Sequence, residues 1–170
     1  MEADNLLLNT IRDEIAAASR ILLVSHIRPD GDAIGSLVGC GLSLIAAGKQ
    51  VQMVLSDGVP ANFRFLAGTE LIKKRAVGDF DYRIVVDASE LPRIGLALDG
   101  QPAADLNIDH HVTNDLFGRR NLVLSDAAAT AEILARYLPV LGLTIPPEAA
   151  NALLLGMVTD TIGFRTRNVT

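Results

Sequence analysis

Three short apolar runs in this chain each lead directly into acidic or imidazole side chains. The runs are residues 21–24, 84–86 and 106–108. The side chains that follow them are His26, Asp30 and Asp32, then Asp87, and finally Asp109, His110 and His111. Continuous apolar runs are typical of strands buried in a parallel sheet, and open sheets of this kind bind ligands at the carboxyl ends of their strands. We therefore expect one sheet edge that gathers acids and imidazoles.

The remaining pattern of apolar residues predicts strands that alternate with helices. Strands are predicted over residues 21–25, 51–55, 84–86, 105–108 and 121–124. Helices are predicted before the first strand and over residues 33–47, 127–138 and 147–158, with short helices over residues 60–66 and 91–98. This alternation predicts an α/β fold: a doubly wound, mainly parallel five-stranded sheet with helices on both faces. Gly35, Gly39 and Gly41 are interpreted as a close approach of their helix to the sheet.

The composition limits the classes of protein to which the chain can belong. Hydrophobic residues make up 49% and aromatic residues 4% of the 170 positions, which fits one domain with an aliphatic core. A net charge of −5 argues against sequence-independent binding of nucleic acid through a basic face. Cys40 has no partner for an intrachain disulfide and is expected in the core. Without a visible secretion signal or a membrane-length apolar run, we expect a cytoplasmic protein that binds no membrane.

The histidines give the strongest chemical signal. Each acid taken alone is typical of a helix cap or a turn, and Asp160 fits the end of the last helix. All three histidines, however, lie beside carboxylates at predicted strand ends. Mixed imidazole and carboxylate ligands suit Mn²⁺, Zn²⁺ or Fe²⁺. The donors exceed the needs of one ion, so two ions that share a carboxylate, at roughly 3.5–4 Å, fit the pattern.

Other catalytic sites fit the sequence less well. The chain has neither of the common glycine-rich phosphate loops and no Gly-x-Ser-x-Gly elbow. Ser25 and His26 are neighbours in a predicted strand, where successive side chains point to opposite faces, so they are not expected to act as a pair.

Four motifs, in this order along the chain, carry a family resemblance. They are His26, Asp30, Asp32, Gly35 and Ser36; then Asp87; then Asp109, His110 and His111; and then Thr159, Asp160 and Thr161. In this order and spacing they resemble the DHH phosphoesterase superfamily. Thr130 to Ile133 also resembles the helix that follows the DHH motif in that superfamily. The most similar subfamily is the bacterial nanoRNase and 3′-phosphoadenosine 5′-phosphate phosphatase group.

The resemblance implies a site with two Mn²⁺ ions, with Mg²⁺ or Co²⁺ as alternatives. It implies that His26, Asp30 and Asp87 would bind one ion. The ligands of the other ion would be Asp32, Asp87, His110 and Asp160, so that Asp87 bridges the pair. His111 would face the scissile phosphate, and Asp109 would hold the catalytic imidazole or its loop in place.

The resemblance also implies a function: hydrolysis of short oligonucleotides, linear dinucleotides or 3′,5′-bisphosphorylated nucleosides by a two-metal mechanism. A small nucleotide or a short single strand is the expected partner, long duplexes are not, and homodimer formation is left open. Two alternatives remain. One is a manganese-dependent inorganic pyrophosphatase, and the other is a metal- or nucleotide-binding module that no longer turns over.

Two departures from the family pattern bear on these expectations. Ile162 stands where the family often has glycine, which is expected to narrow the substrate side of the site. Members of the subfamily also continue into a second, DHH-associated domain that grips the substrate, and nothing in this sequence matches it. We therefore interpret residues 1–170 as the catalytic domain alone, with Arg28 and Arg165 as the basic residues nearest to the motifs.

Overall fold

The structure, a computed structural model, describes residues 3–166 and 169 and is built on a parallel sheet. Its strands are β1 (Arg20–Val24), β2 (Gln50–Val54), β3 (Tyr82–Val86), β4 (Leu106–Asp109) and β5 (Arg120–Val123). They lie in the order β2-β1-β3-β4-β5, and every neighbouring pair is parallel. The predicted five-stranded parallel sheet is therefore confirmed, with strand ends within about two residues of their predicted positions.

The α-helices all pack into one layer against the sheet. They are α1 (Asn5–Ala17), α2 (Gly31–Ala46), α3 (Thr130–Tyr137) and α4 (Pro147–Asp160). Each contributes apolar side chains to one core cluster, which also takes Ile21 and Leu23 from β1. Among the helices of the described residues, none combines the length and the apolar character that a membrane span requires.

The opposite face of the sheet is covered differently. Leu22 and Val24 of β1 pack there with Ile94 and Ala97, which lie in and just after a 3₁₀ helix at Leu91–Ile94. The sequence predicts helices on both faces of the sheet. The structure has α-helices on one face and a 3₁₀ helix on the other. The predicted helix over residues 91–98 stops early because Gly95 adopts φ +58, and that over residues 60–66 is a 3₁₀ turn at Ala61–Phe63.

Helices α2 and α4 approach each other closely along a line of glycines. A Cβ atom added at Gly35 would overlap the Ala152 carbonyl oxygen, and one added at Gly39 would lie 2.5 Å from Leu153 Cδ2. The interpretation that these glycines let the helix approach the sheet is wrong for both positions, because the neighbour is a second helix. It holds for Gly41, whose added Cβ would meet Met53 of β2.

The strand order places a crevice between β1 and β3. The chain leaves β1 through α2 on one face and leaves β3 through the 3₁₀ helix on the other, so the two connections separate at this point. Ligand sites of open α/β sheets lie at such a reversal, outside the carboxyl ends of the strands. His26 follows β1 here and Asp87 follows β3.

Candidate functional site

Asp87 lies at the centre of the polar cluster and presents its two oxygens in different directions. Oδ2 lies 3.4 Å from His26 Nε2, and Oδ1 lies 4.0 Å from His110 Nε2. The backbone of Asp87 adopts φ +58, in the left-handed region where aspartate is tolerated better than most residues. Its N–H donates to the Ile108 carbonyl at 2.9 Å, and the Thr130 hydroxyl donates to Oδ1 at 2.9 Å. These contacts fix the carboxylate between the two imidazoles.

A first group of donors consists of His26, Asp30 and Asp87. His26 is buried, and its Nδ1 lies 2.8 Å from the Ile27 carbonyl, which leaves Nε2 facing the carboxylates. Burial opposes the charged imidazole, but the hydrogen bonds with Asp30 and Asp87 outweigh it and raise the pKa of His26 to about 10. The side chain of Asp30 caps α2 by accepting from the N–H groups of Asp32 and Ala33.

A second group of donors consists of Asp32, His110 and Asp160. His110 Nε2 lies 4.0 Å from Asp32 Oδ2 and 3.6 Å from Asp160 Oδ2. Its Nδ1 lies 3.3 Å from the Ala127 carbonyl. In both groups the histidine therefore turns Nδ1 to a backbone carbonyl and Nε2 to the acids, which is how imidazoles that bind metals are usually oriented.

Asp32 is held by donors from a distant helix. The N–H of Thr130 donates to Oδ2 at 2.7 Å and that of Ala131 to Oδ1 at 3.0 Å, while the Ser36 hydroxyl donates to Oδ1 at 3.1 Å. Burial and the negative charge of Asp87 nevertheless raise the pKa of Asp32. Burial, together with the charges of Asp87 and Asp30, also raises the pKa of Asp160, despite the opposing effect of His110. The cluster thus holds more negative charge than its own residues neutralise.

His111 has its own chain of hydrogen bonds, and it also forms a third possible donor group with Asp87 and His110. Its Nδ1 lies 2.7 Å from Asp109 Oδ1, and Asn114 Nδ2 donates to Asp109 Oδ2 at 2.6 Å. The hydrogen bond that His111 donates to Asp109 outweighs burial and raises the pKa of His111. The ring remains 32% exposed, in contrast to the buried His26 and Asp87. His111 Nδ1 also lies 3.9 Å from Asp87 Oδ1, but Asp109 Oδ1 is closer to that nitrogen.

The residues present fit a pair of divalent cations. In each of the two groups, one donor atom from every residue lies within 4.8 Å of the others, and Asp87 borders both groups. Imidazole nitrogens and carboxylate oxygens are a set that suits transition metals such as Mn²⁺. The raised pKa values of Asp32 and Asp160 indicate a place where positive charge is missing.

The sequence pattern of the DHH family, N-terminal domain, matches residues 20–157 of this chain. The chain belongs to the DHH family. The match covers both donor groups except Asp160, which lies three residues beyond it. The phosphoesterases of this family depend on metals, and this DHH domain has a carboxylate and histidine cluster that could hold them.

Proteins of known name and solved structures resemble this DHH domain. A Thermus thermophilus protein named bifunctional oligoribonuclease and PAP phosphatase NrnA is 35% identical over 160 residues, which is 91% of this chain and 47% of that protein. A Mycoplasma genitalium protein of the same name is 34% identical over 88% of this chain and 48% of that protein. An exopolyphosphatase-related protein from Bacteroides fragilis has the same fold, with a TM-score of 0.88 at 24% identity over 98% of this chain and 53% of its own. The chain spans about half the length of the curated relatives that it matches.

The structure brings together all eight residues that the sequence nominated, which are His26, Asp30, Asp32, Asp87, Asp109, His110, His111 and Asp160. Their individual roles remain predictions. Sequence reasoning missed the supporting contacts of Thr130, Ala131 and Asn114. Asn114 lies in a loop and, without a periodic pattern around it, gives no signal of its own. Thr130 enters the sequence-based prediction only through the family resemblance. Its contact with Asp87 could not be predicted, because the two residues are 43 positions apart.

Proposed function

We propose that this domain hydrolyses phosphoester bonds in short oligonucleotides or 3′,5′-bisphosphorylated nucleosides with the help of two Mn²⁺ ions. The observation that carries the proposal is the position of Asp87, whose two oxygens face two different histidines of two donor groups. The printed names of the Thermus and Mycoplasma relatives support the substrate class. Action on such nucleotides also supports a cytoplasmic location.

In this proposal His26, Asp30 and Asp87 hold one cation, and Asp32, Asp87, His110 and Asp160 hold the other. Two divalent cations would lower the pKa of a water molecule and neutralise the charge of phosphoryl oxygens. The chain itself orients the ligands: the carbonyls of Ile27 and Ala127 fix the two imidazoles. The N–H groups of Thr130 and Ala131 fix the carboxylate of Asp32.

His111 supplies the acid in this proposal. With Nδ1 donating to Asp109, which raises the pKa of the imidazole, the protonated form of His111 would present a second N–H, at Nε2, to the substrate. That proton stabilises the charge that develops on the phosphate, and the leaving oxygen takes it when the ester P–O bond breaks. Water supplies the oxygen that joins phosphorus and releases one proton to solvent, and His111 regains its own proton from solvent. Asn114 keeps Asp109 in place for each cycle.

Two substitutions separate the roles of metal ligand and acid. Asp87→Ala should remove both ions and all hydrolysis, because it deletes the shared ligand. Asp87→Asn is the matched control for folding, since asparagine also tolerates a positive φ, and it should fold without ions. His111→Ala should retain both ions and slow turnover by about 10²–10³-fold, as expected for the loss of one transition-state donor.

Metal analysis and steady-state kinetics on a dinucleotide and on pyrophosphate measure both properties. Loss of the ions in His111→Ala as well would make His111 a ligand. Full metal content in Asp87→Ala would contradict the shared site. Faster hydrolysis of pyrophosphate than of the dinucleotide would replace the proposed substrate class.

We also propose that this domain is the catalytic part of a two-domain enzyme. The proposal is supported by the coverage of the relatives, of which the chain matches 47% and 48%. A second domain would supply substrate contacts that an acidic domain with a net charge of −5 largely lacks.

A further inference from the structure

A cleft of about 440 Å³ opens beside the first donor group and is not explained by metal binding. It is lined by His26, Ile27, Arg28, Asp30, Pro92 and Arg93. Its volume lies within the ~300–1,000 Å³ of typical small-ligand sites. The lining combines two ligands of the candidate metal site with two arginines, so an anion that enters the cleft would lie between fixed cations of the chain and the first donor group.

Among the described residues, most arginines have an acidic partner, but the two in this cleft do not. The arginines that lie within 4.0 Å of a carboxylate are Arg12, Arg20, Arg83, Arg119, Arg120 and Arg136. In the part of the chain that the structure describes, the side chains of Arg28 and Arg93 have no such carboxylate and no hydrogen bond. Arg93 is half-buried, so its unpaired charge is not simply a solvated surface group.

The backbone holds both arginines in fixed positions. The Ile27 N–H donates to the Arg93 carbonyl at 2.7 Å, which joins the loop after β1 to the 3₁₀ helix. The Arg28 N–H donates to Asp57 Oδ2 at 2.6 Å, and Arg28 adopts φ +51. A non-glycine residue in the left-handed region is kept there by its surroundings. The cleft is therefore a built feature rather than a gap between mobile loops.

Arg93 also lies close to the proposed acid. Its positive charge is near enough to oppose the protonation of His111. Arg93 is thus within electrostatic range of His111 and also lines the cleft beside His26 and Asp30.

We propose that Arg93, assisted by Arg28, forms a subsite for a second phosphate of the substrate, one that is not cleaved. The subsite rests on the proposed function and extends it, because it selects substrates with two phosphate groups, such as a nucleoside 3′,5′-bisphosphate or a 5′-phosphorylated dinucleotide. Guanidinium groups suit this role because their planar donors bind two phosphate oxygens at once.

Calorimetric titration of the Mn²⁺-loaded chain, in a His111→Ala background that slows hydrolysis, with adenosine 3′,5′-bisphosphate and, separately, with inorganic phosphate tests the subsite. Arg93→Gln should weaken binding of the nucleotide by roughly 10- to 100-fold, the loss expected for a charged hydrogen-bonding group. It should leave the affinities for inorganic phosphate and Mn²⁺ unchanged. Arg28→Gln should weaken nucleotide binding less, because its side chain is exposed. Arg93→Lys keeps the charge but loses the planar set of donors. Its affinity for the nucleotide should lie between those of Arg93→Gln and the unaltered chain.

Arg12→Gln is the matched control, since it removes the same charge from the exposed face of α1. It should not alter nucleotide affinity. If Arg93→Gln weakened the binding of the nucleotide and of inorganic phosphate equally, Arg93 would lie at the metal-bound phosphate and the second subsite would be overturned. Unaltered nucleotide binding would also overturn it. The titrated nucleotide is recovered and checked to be intact. Arginine-dependent nucleotide binding in a chain that hydrolyses no phosphoester would support the subsite while removing the proposed function.

Discussion

As a proposed ligand, His26 is the residue at which a proton and a metal ion would compete most directly. Its pKa is raised to about 10, so at neutral pH it is protonated, whereas a metal ligand must be neutral. We expect the affinity for Mn²⁺ to rise with pH by about tenfold per unit between pH 6.5 and 8.5 for this one displaced proton. Titration calorimetry at several pH values, in buffers of different ionisation enthalpy, measures both the affinity and the protons released.

The affinity for Mn²⁺ should rise with pH because the pKa of His26 is raised. Below about 10 the proton must leave before Nε2 can bind an ion, and each unit of added pH makes that tenfold easier. His26→Gln has no such proton and serves as the control. Its affinity for Mn²⁺ should be lower, and the slope of the logarithm of that affinity against pH should be smaller by one. A Mn²⁺ affinity that stays level over this range would contradict the exchange of proton for metal.

The candidate ligands could be found from the sequence because each follows an apolar run or lies at one end of a helix. His26, Asp87 and His110 follow strands that the hydrophobic pattern marks clearly. The residues that orient them could not be found in this way. The donors to Asp32 are backbone N–H groups 98 and 99 positions away, and a backbone group has no signature in the sequence.

At the scale of elements, the contact between α2 and α4 determines the second donor group. Asp32 lies in the first turn of α2 and Asp160 at the end of α4. Gly35→Ala would bring a Cβ atom into the Ala152 carbonyl of α4, and backbone cannot move aside as a side chain can. We expect a loss of about 1–3 kcal/mol in the free energy of unfolding, which is typical of overpacking, together with weaker Mn²⁺ binding.

Thermal denaturation and metal titration measure both effects. Gly41→Ala is the matched control, because it gives the same gain in helix propensity within α2 but meets the flexible side chain of Met53. It should cost less stability and leave Mn²⁺ affinity intact. A Gly35→Ala variant as stable as Gly41→Ala would contradict the tight packing of α2 against α4.

The boundary of α3 illustrates why element ends are harder to predict than elements. The pattern predicts a helix over residues 127–138, but the structure begins it at Thr130, with Ala129 extended at φ −161. The free N–H groups of the first turn are satisfied by Asp32 of α2 rather than by a local cap. A cap supplied by a distant helix leaves the local sequence without the usual start signal.

At the scale of the whole molecule, the domain is acidic, with a net charge of −5 that disfavours contacts with a nucleotide. We expect this chain to hydrolyse a dinucleotide far more slowly than a version that carries a second domain, because remote contacts help to position the reacting centre. Both forms should act more similarly on a small activated phosphodiester, which uses none of those contacts. Steady-state kinetics on the two substrates compare them.

The extended form can be made by fusing the part of the Thermus thermophilus relative that this chain does not match. A fusion to an unrelated domain of similar size controls for the added mass. Equal efficiency of the short and extended chains on the dinucleotide would show that this domain carries its own recognition surface.

The spread of the two donor groups along the chain bears on the order in which they assemble. His26, Asp30 and Asp87 all lie within the first 87 residues, whereas the second group also needs His110 and, near the end, Asp160. A ribosome releases the chain from its amino terminus at roughly 5–20 residues per second. The first group therefore leaves the ribosome well before the second can form, and the second donor group is complete only once α4 has emerged and docked against α2.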